Sequence, residues 1–128
     1  MFTEEELKNS PVAVLGGGAV GKTIAADCVL GGNKDVRLYD IEPYASESLK
    51  DVEKTGITLK GIQKNKYGFK RSGTAHFNLV TTDIKKAVEG SKLIIVAIPS
   101  VAHEAFFEKL VPVLEDGQLC RRQIRKCF

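Results

Sequence analysis

The sequence predicts an α/β fold in which helices cover both faces of a doubly wound parallel sheet. Two apolar runs, Val12–Leu15 and residues 93–98, have the length of buried strands. The second run is apolar at every position, which is typical of a parallel strand covered by helices on both faces. From the first run, the chain continues as a glycine-rich turn, a helix and another strand, the content of one βαβ unit. We therefore expect a three-layer α/β domain.

Periodicity and capping residues place the other elements of this domain. Apolar residues recur at helical spacing over residues 19–30, and Gly31-Gly32-Asn33 then ends the helix with residues that tolerate positive φ. Val36–Tyr39 is predicted as the second strand, and residues 43–55 as a short helix. Two more helices are predicted, one over residues 84–89 capped by Asp83 and one over residues 101–114.

Residues 57–80 depart from the α/β pattern and predict a β-hairpin-like excursion, because short apolar stretches alternate with glycines there. The same segment carries a cluster of basic residues: Lys60, Lys64, Lys66, Lys70 and Arg71. This cluster lacks a recognisable nucleic-acid-binding motif, so we interpret it as the solvated face of the hairpin. We predict no nucleic-acid partner.

Composition limits the class of protein. The chain has 128 residues, 43% hydrophobic and 27% charged, as expected for one soluble globular domain. Its longest apolar run is too short to span a bilayer, and it opens with acidic residues where a secretory signal would be basic. Three cysteines without disulfide or metal-ligand spacing suit a reducing compartment. We expect a cytoplasmic protein with no membrane partner and no metal site.

The loop after the first strand reads Gly-Gly-Gly-Ala-Val-Gly-Lys-Thr and fits two phosphate-binding patterns. In the dinucleotide pattern G-x-G-x-x-G, Gly16 makes the tight turn and Gly18 lets the backbone approach a pyrophosphate. Gly21 then allows close helix–strand packing, and the helix N-terminus favours the anion. In the P-loop pattern, Lys22 would bind the β- and γ-phosphates and Thr23 a magnesium ion.

Asp40 favours the dinucleotide pattern. It ends the second strand, nineteen positions after Gly21, where a Rossmann fold has an acid that binds the ribose hydroxyls. A P-loop enzyme needs a metal-holding acid after another strand. The strand at 93–98 is followed by Pro99-Ser100, which offers no carboxylate. Asp40 can itself take that place, so a P-loop nucleotidase stays an alternative. Asp40 would repel a 2′-phosphate, so we predict NAD as the cofactor, with NADP disfavoured.

Several stretches of the chain resemble the first domain of the opine dehydrogenases. They are Gly73-Thr74-Ala75-His76, Leu79-Val80-Thr81-Thr82-Asp83-Ile84, Ala87-Val88, and residues 93–99 with His103 four positions beyond. The resemblance runs from about Pro11 to Gln118. Glycerol-3-phosphate dehydrogenase and ketopantoate reductase have related first domains and stay alternatives.

This resemblance implies an oxidoreductase that condenses an amino acid with a 2-oxo acid by hydride transfer. By matching positions it assigns cofactor-binding roles to Gly16, Gly18, Ala19, Val20 and Gly21 at the pyrophosphate, and to Asp40 at the adenosine ribose. It places Ile98, Pro99 and Ser100 beside the nicotinamide half. These three residues lie at the carboxyl end of a strand, and open α/β sheets bind ligands at the carboxyl ends of their strands.

No catalytic residue is assigned. His103 and His76 are the only histidines, and we interpret His103 as a surface or capping residue and His76 as structural. In the opine dehydrogenases the acid–base groups and the substrate pocket belong largely to a second, helical domain. We expect that catalytic domain to be absent here, and the 128-residue fragment to be inactive alone.

The last ten residues look atypical. We place the NAD-binding domain at residues 1–118 and regard 119–128 as a basic tail, too polar for the strand that the fold requires there. Codons for this tail, read one base later, can encode Asp-Lys-Tyr-Gly-Ser-Val, so we expect a frameshifted or truncated end. The exposed domain face would then favour self-association. An NAD-sensing module without chemistry is a further alternative.

Overall fold

The computed structural model describes residues 10–33, 35–42, 44–59, 73–98 and 102–122. The strands in these ranges are β1 (Val12–Leu15), β2 (Val36–Tyr39), β3 (Ile57–Leu59), β4 (Gly73–Ala75), β5 (Leu79–Thr81), β6 (Leu93–Val96) and β7 (Leu119–Arg122). The α-helices are α1 (Ala19–Leu30), α2 (Ala45–Ser48), α3 (Val52–Thr55), α4 (Ile84–Val88) and α5 (His103–Leu110), and a 3-10 turn follows at Val111–Val113.

Five of these strands form one parallel sheet in the order β5-β2-β1-β6-β7. In the register of the central strands, Val12 of β1 lies between Val36 and Leu93. The chain adds strands first on one side of β1 and then on the other, which is the order of a Rossmann fold. The predicted doubly wound α/β fold is confirmed.

The sheet is covered on both faces, because alternate residues of each strand point to opposite sides. All four residues of β1 are buried. Val12 and Val14 pack in a cluster with Ala25 of α1. Ala13 and Leu15 pack on the other face in a cluster that contains residues of α4 and α5. These are the three predicted layers.

The boundary of the excursion differs from the prediction. Among the described residues, β3 and β4 form the separate antiparallel pair, with Thr58 opposite Thr74. Leu79 and Val80, predicted within the excursion, belong to β5, which pairs with β2 in the main sheet. The sequence of a short apolar stretch does not indicate which sheet it joins. Here the pairing of β5 with β2 places Leu79 and Val80 in the main sheet. The basic cluster from Lys60 to Arg71 lies outside the described residues.

Two predicted helices also change at their boundaries. The single helix expected over residues 43–55 is two short helices, because Asp51 adopts a left-handed conformation (φ 59°) between them. Pro43 lies outside the described residues. The helix expected over 101–114 ends at Leu110 and continues as the 3-10 turn. The cap on α4 is confirmed, since Asp83 accepts hydrogen bonds from the backbone amides of Lys85 and Lys86.

Residues 119–122 form a strand where none was predicted. β7 pairs in parallel with β6, with Cys120 opposite Ile94. The backbone ladder does not depend on side-chain polarity, and β7 is the edge strand of the described sheet, where polar sequence is tolerated. Four of the ten residues regarded as a tail are therefore part of the fold. No helix within the described ranges is long and apolar enough to cross a membrane.

Candidate functional site

A cavity of about 810 Å³ opens at the carboxyl ends of β1, β2 and β6. Its lining residues come from the glycine loop, the end of β2, the α2 region and the segment after β6: Gly16, Gly17, Gly18, Ala19, Lys22, Asp40, Tyr44, Glu47, Ser48, Ala97, Ile98, Ala102 and Phe106. β1 and β6 are neighbours from which the chain winds in opposite directions. Open α/β sheets bind their ligands at such a point, and the volume suits a large organic ligand.

Two glycines of the loop are required by close backbone packing. Gly16 has φ +122°, and a Cβ there would lie 2.2 Å from the carbonyl oxygen of Ala97. A Cβ on Gly21 would lie 1.8 Å from the carbonyl oxygen of Gly16. No residue with a side chain fits either place without moving backbone. Gly16 therefore allows the loop to pack against the residue that follows β6. Gly21 allows α1 to pack against the loop.

Gly18 differs from these two because a Cβ there would meet nothing within 4 Å. It is the N-cap of α1, without a side-chain cap, and the first turn of this helix carries no acid. The first hydrogen bond of the helix joins the amide of Lys22 to the carbonyl of Gly18, at 2.9 Å. The amides at 19–21 thus have no acceptor within the helix. Open space, free amides and the positive helix end together suit an anion.

Asp40 presents its carboxylate to the same cavity from the end of β2. The residue is only 6% exposed. Its Oδ1 accepts the backbone N–H of Ile41 at 2.8 Å, and its Oδ2 accepts the hydroxyl of Ser48 at 2.5 Å. Each carboxylate oxygen can accept a further hydrogen bond. The arrangement therefore offers a fixed acceptor pair to a ligand with hydroxyl groups.

The opposite wall is apolar. Ile98 and Ala97 follow β6, and the amide of Ala97 continues the ladder by donating to the carbonyl of Leu15 at 2.8 Å. Phe106 of α5 lines the cavity and packs edge-on against Tyr39, with ring centroids 5.8 Å apart. Burial, then the charges of Asp40 and Asp83, raise the pKa of Tyr39 above its usual value. The tyrosine ring therefore stays neutral in the core behind this wall.

The predicted site residues fall into three groups. Gly16, Gly18, Ala19, Asp40 and Ile98 line the cavity. Val20 and Gly21 do not line it, although their backbone amides lie in the same first turn of α1. Pro99 and Ser100 lie outside the described residues.

Sequence reasoning missed several lining residues, among them Gly17, Ser48 and Phe106. Gly17 stands inside the glycine motif, so its position was a usable signal. Ser48 and Phe106 reach the cavity only through the packing of α2 and α5, and no local pattern marks them.

Thr23 argues against the P-loop pattern. Its hydroxyl donates to the carbonyl of Ala19 at 2.7 Å, one turn back in α1, and the side chain is exposed. In a P-loop this hydroxyl would bind a metal ion beside the phosphates. Lys22 does line the cavity, but the threonine that should accompany it points elsewhere.

The histidines lie apart from the cavity lining. His76 is exposed after β4. His103, expected at the surface or as a cap, is half-buried at the start of α5, where its ring contacts Phe107 edge-on. Its Nε2 is buried with no hydrogen-bond partner among the described residues, and α5 has no side-chain cap. Packing of the His103 ring against Phe107 accounts for its being half-buried and not at the surface.

Comparison with known proteins agrees with this geometry. The curated opine dehydrogenase of Arthrobacter sp. (strain 1C) is 28% identical over 113 residues, which cover 88% of this chain and 29% of that protein. A solved octopine dehydrogenase in complex with NADH and agmatine superposes with a TM-score of 0.75 at 22% identity, covering 89% of this chain and 28% of the other. The glycerol-3-phosphate dehydrogenase of Coxiella burnetii superposes less closely, with a TM-score of 0.65 at 23% identity, over 92% of this chain and 33% of the other.

The chain thus spans less than a third of the length of its curated opine dehydrogenase relative. The family model of the NAD-dependent glycerol-3-phosphate dehydrogenase N-terminus matches residues 11–122, nearly the whole described range. The chain therefore belongs to this family of NAD-binding oxidoreductase domains, and its predicted resemblance to the N-terminal domain of the opine dehydrogenases is confirmed.

Proposed function

We propose that the cavity binds the dinucleotide cofactor of an opine-type dehydrogenase and selects NAD over NADP. The observation that carries this proposal is the carboxylate of Asp40, held in the same cavity as the open helix end at Gly18. An anion site and a hydroxyl-binding acid at this spacing suit a pyrophosphate joined to a ribose. A carboxylate repels a 2′-phosphate, which supports selection against NADP.

Different residues of the cavity bind different parts of the dinucleotide. Gly16 and Gly21 shape the turn; the open space at Gly18 and the backbone amides of residues 19–21 hold the pyrophosphate. Asp40 accepts hydrogen bonds from the adenosine ribose. Ile98, with Pro99 and Ser100 after it, borders the nicotinamide half. When bound, the cofactor supplies the hydride; the residues of this chain orient it and exclude water from one face.

The reaction that we propose is the reductive condensation of an amino acid with a 2-oxo acid. The amino group and the oxo carbon form an imine with loss of water, and hydride reduces the imine carbon while a proton adds to nitrogen. The opine dehydrogenase relatives support this class. We assign no catalytic side chain within these 128 residues, and we expect them to bind cofactor without turnover.

Asp40→Asn tests the proposed selectivity. The substitution removes the charge while keeping the shape of the side chain. We expect the Kd for NADH to rise about tenfold, because a hydrogen bond to a charged group contributes about 1.5–3 kcal/mol. The Kd for NADPH should fall, because the repulsion of its 2′-phosphate is lost. Calorimetric titration of wild type and Asp40→Asn with NADH and NADPH measures both changes in Kd.

Asp51→Asn is the matched control. Asp51 is exposed, lies outside the cavity lining and has a left-handed backbone that asparagine also tolerates. This control should leave both affinities unchanged. An Asp40→Asn variant that kept the wild-type preference between NADH and NADPH would contradict the proposed role of Asp40.

A further inference from the structure

We propose that Ser48 is a positioning residue for the choice of dinucleotide. Its hydroxyl fixes the carboxylate of Asp40 in the orientation that receives the 2′-hydroxyl of the adenosine ribose. This inference rests on the proposed function of the cavity and assigns a specificity role to a second residue of that site.

The geometry shows a carboxylate fixed at both oxygens. Oδ1 of Asp40 accepts the backbone N–H of Ile41 at 2.8 Å, and Oδ2 accepts the hydroxyl of Ser48 at 2.5 Å. The terminal torsion of an aspartate is otherwise broad and roughly two-fold. The bond to Ile41 comes from the adjacent residue, whereas Ser48 lies eight positions away on α2. Ser48 is therefore the group that ties the carboxylate to a separate element.

Gly17 connects this pair to the glycine loop. A Cβ at position 17 would lie 2.7 Å from the hydroxyl oxygen of Ser48 and 2.9 Å from Oδ2 of Asp40. The Asp40–Ser48 pair thus occupies the space that a side chain at position 17 would need. A larger residue at position 17 would therefore require the ends of the Asp40 and Ser48 side chains to move.

The pair also faces the cavity. Both residues line the cavity, and each oxygen of Asp40 has one hydrogen bond from the described residues, which leaves it capacity to accept another. A carboxylate that is oriented before binding loses less conformational entropy when the ligand arrives. Without the hydroxyl of Ser48, the carboxylate can rotate, and its hydrogen bonds to the ribose weaken. The loss should depend on the ligand having a 2′-hydroxyl.

The experiment compares Ser48→Ala with wild type in the full 128-residue chain, using NADH and its 2′-deoxyadenosine analogue as ligands. We expect Ser48→Ala to raise the Kd for NADH about five- to tenfold, because the freed carboxylate must then be ordered when NADH binds. The Kd for the 2′-deoxy analogue should stay within about twofold of wild type. The preference for NADH over NADPH should decrease by a similar factor to the NADH affinity.

Two further variants separate positioning from stability. Ser46→Ala, on the exposed side of the same short helix, should leave every affinity unchanged. Ser48→Thr keeps the hydroxyl and should retain the wild-type preference for NADH. Equal weakening of NADH and the 2′-deoxy analogue by Ser48→Ala would overturn the proposal, as would a threonine variant that behaves like alanine.

The outcomes distinguish this inference from the proposed function. If the wild-type chain binds NADH and Ser48→Ala binds it equally well, the positioning role is wrong and the proposed function stands. If the wild-type chain binds neither dinucleotide, the proposed function itself is wrong.

Discussion

Replacing Gly18 with alanine should weaken NADH binding at least about 100-fold while leaving the fold intact. The backbone of Gly18 is extended (φ −74°, ψ −174°), a conformation that alanine adopts readily, and its Cβ would meet nothing within 4 Å. The methyl group would instead occupy the space into which we place the pyrophosphate. Losing two hydrogen bonds to a charged group costs about 3 kcal/mol or more. NADH fluorescence titration and thermal unfolding measure the two quantities.

Gly32→Ala is the control with the opposite expectation. Gly32 also has open space around its Cβ position, but its φ is +104°. Alanine there should lower the free energy of unfolding by about 1 kcal/mol or more and leave NADH affinity unchanged. If Gly18→Ala bound NADH as tightly as wild type, the pyrophosphate could not lie against this residue.

Replacing Gly21 with alanine should lower the free energy of unfolding by about 3 kcal/mol or more. A Cβ at this position would lie 1.8 Å from the carbonyl oxygen of Gly16 and 2.8 Å from its carbonyl carbon. Both atoms belong to the backbone, so no side chain can rotate away. α1 would have to move off the loop, which would also displace the amides that we assign to the pyrophosphate.

Urea denaturation measures this loss, with Gly18→Ala as the matched control. The two substitutions add the same methyl group within the glycine-rich motif, and only the one at position 21 meets backbone. A Gly21→Ala variant with the stability of wild type would show that α1 does not pack on the loop as described.

The part of the fold that could be predicted is the part that local sequence specifies. β1 and β6 are continuous apolar runs because both of their faces are buried, and such runs are visible without knowing their partners. The cap at Asp83 is also local, since the carboxylate bonds amides two and three residues ahead. The glycine loop and Asp40 could also be predicted, because a Rossmann fold places them at a fixed spacing along the sequence.

The parts that could not be predicted depend on contacts between distant segments. β7 carries a polar sequence, and its pairing with β6 rests on backbone hydrogen bonds that any sequence can make. The assignment of β5 to the main sheet likewise depends on its pairing with β2. In the site, Ser48 and Phe106 reach the cavity only after α2 and α5 have packed.

Calorimetric titration of this chain with NADH, NADPH and Mg-ATP at one ionic strength tests the central claim most directly. The claim is that the cavity between Gly18 and Asp40 is a dinucleotide site. We predict saturable binding of NADH, weaker binding of NADPH and no heat from Mg-ATP. Magnesium-dependent binding of ATP without binding of NADH would contradict it and would assign the loop that contains Lys22 to a nucleoside triphosphate.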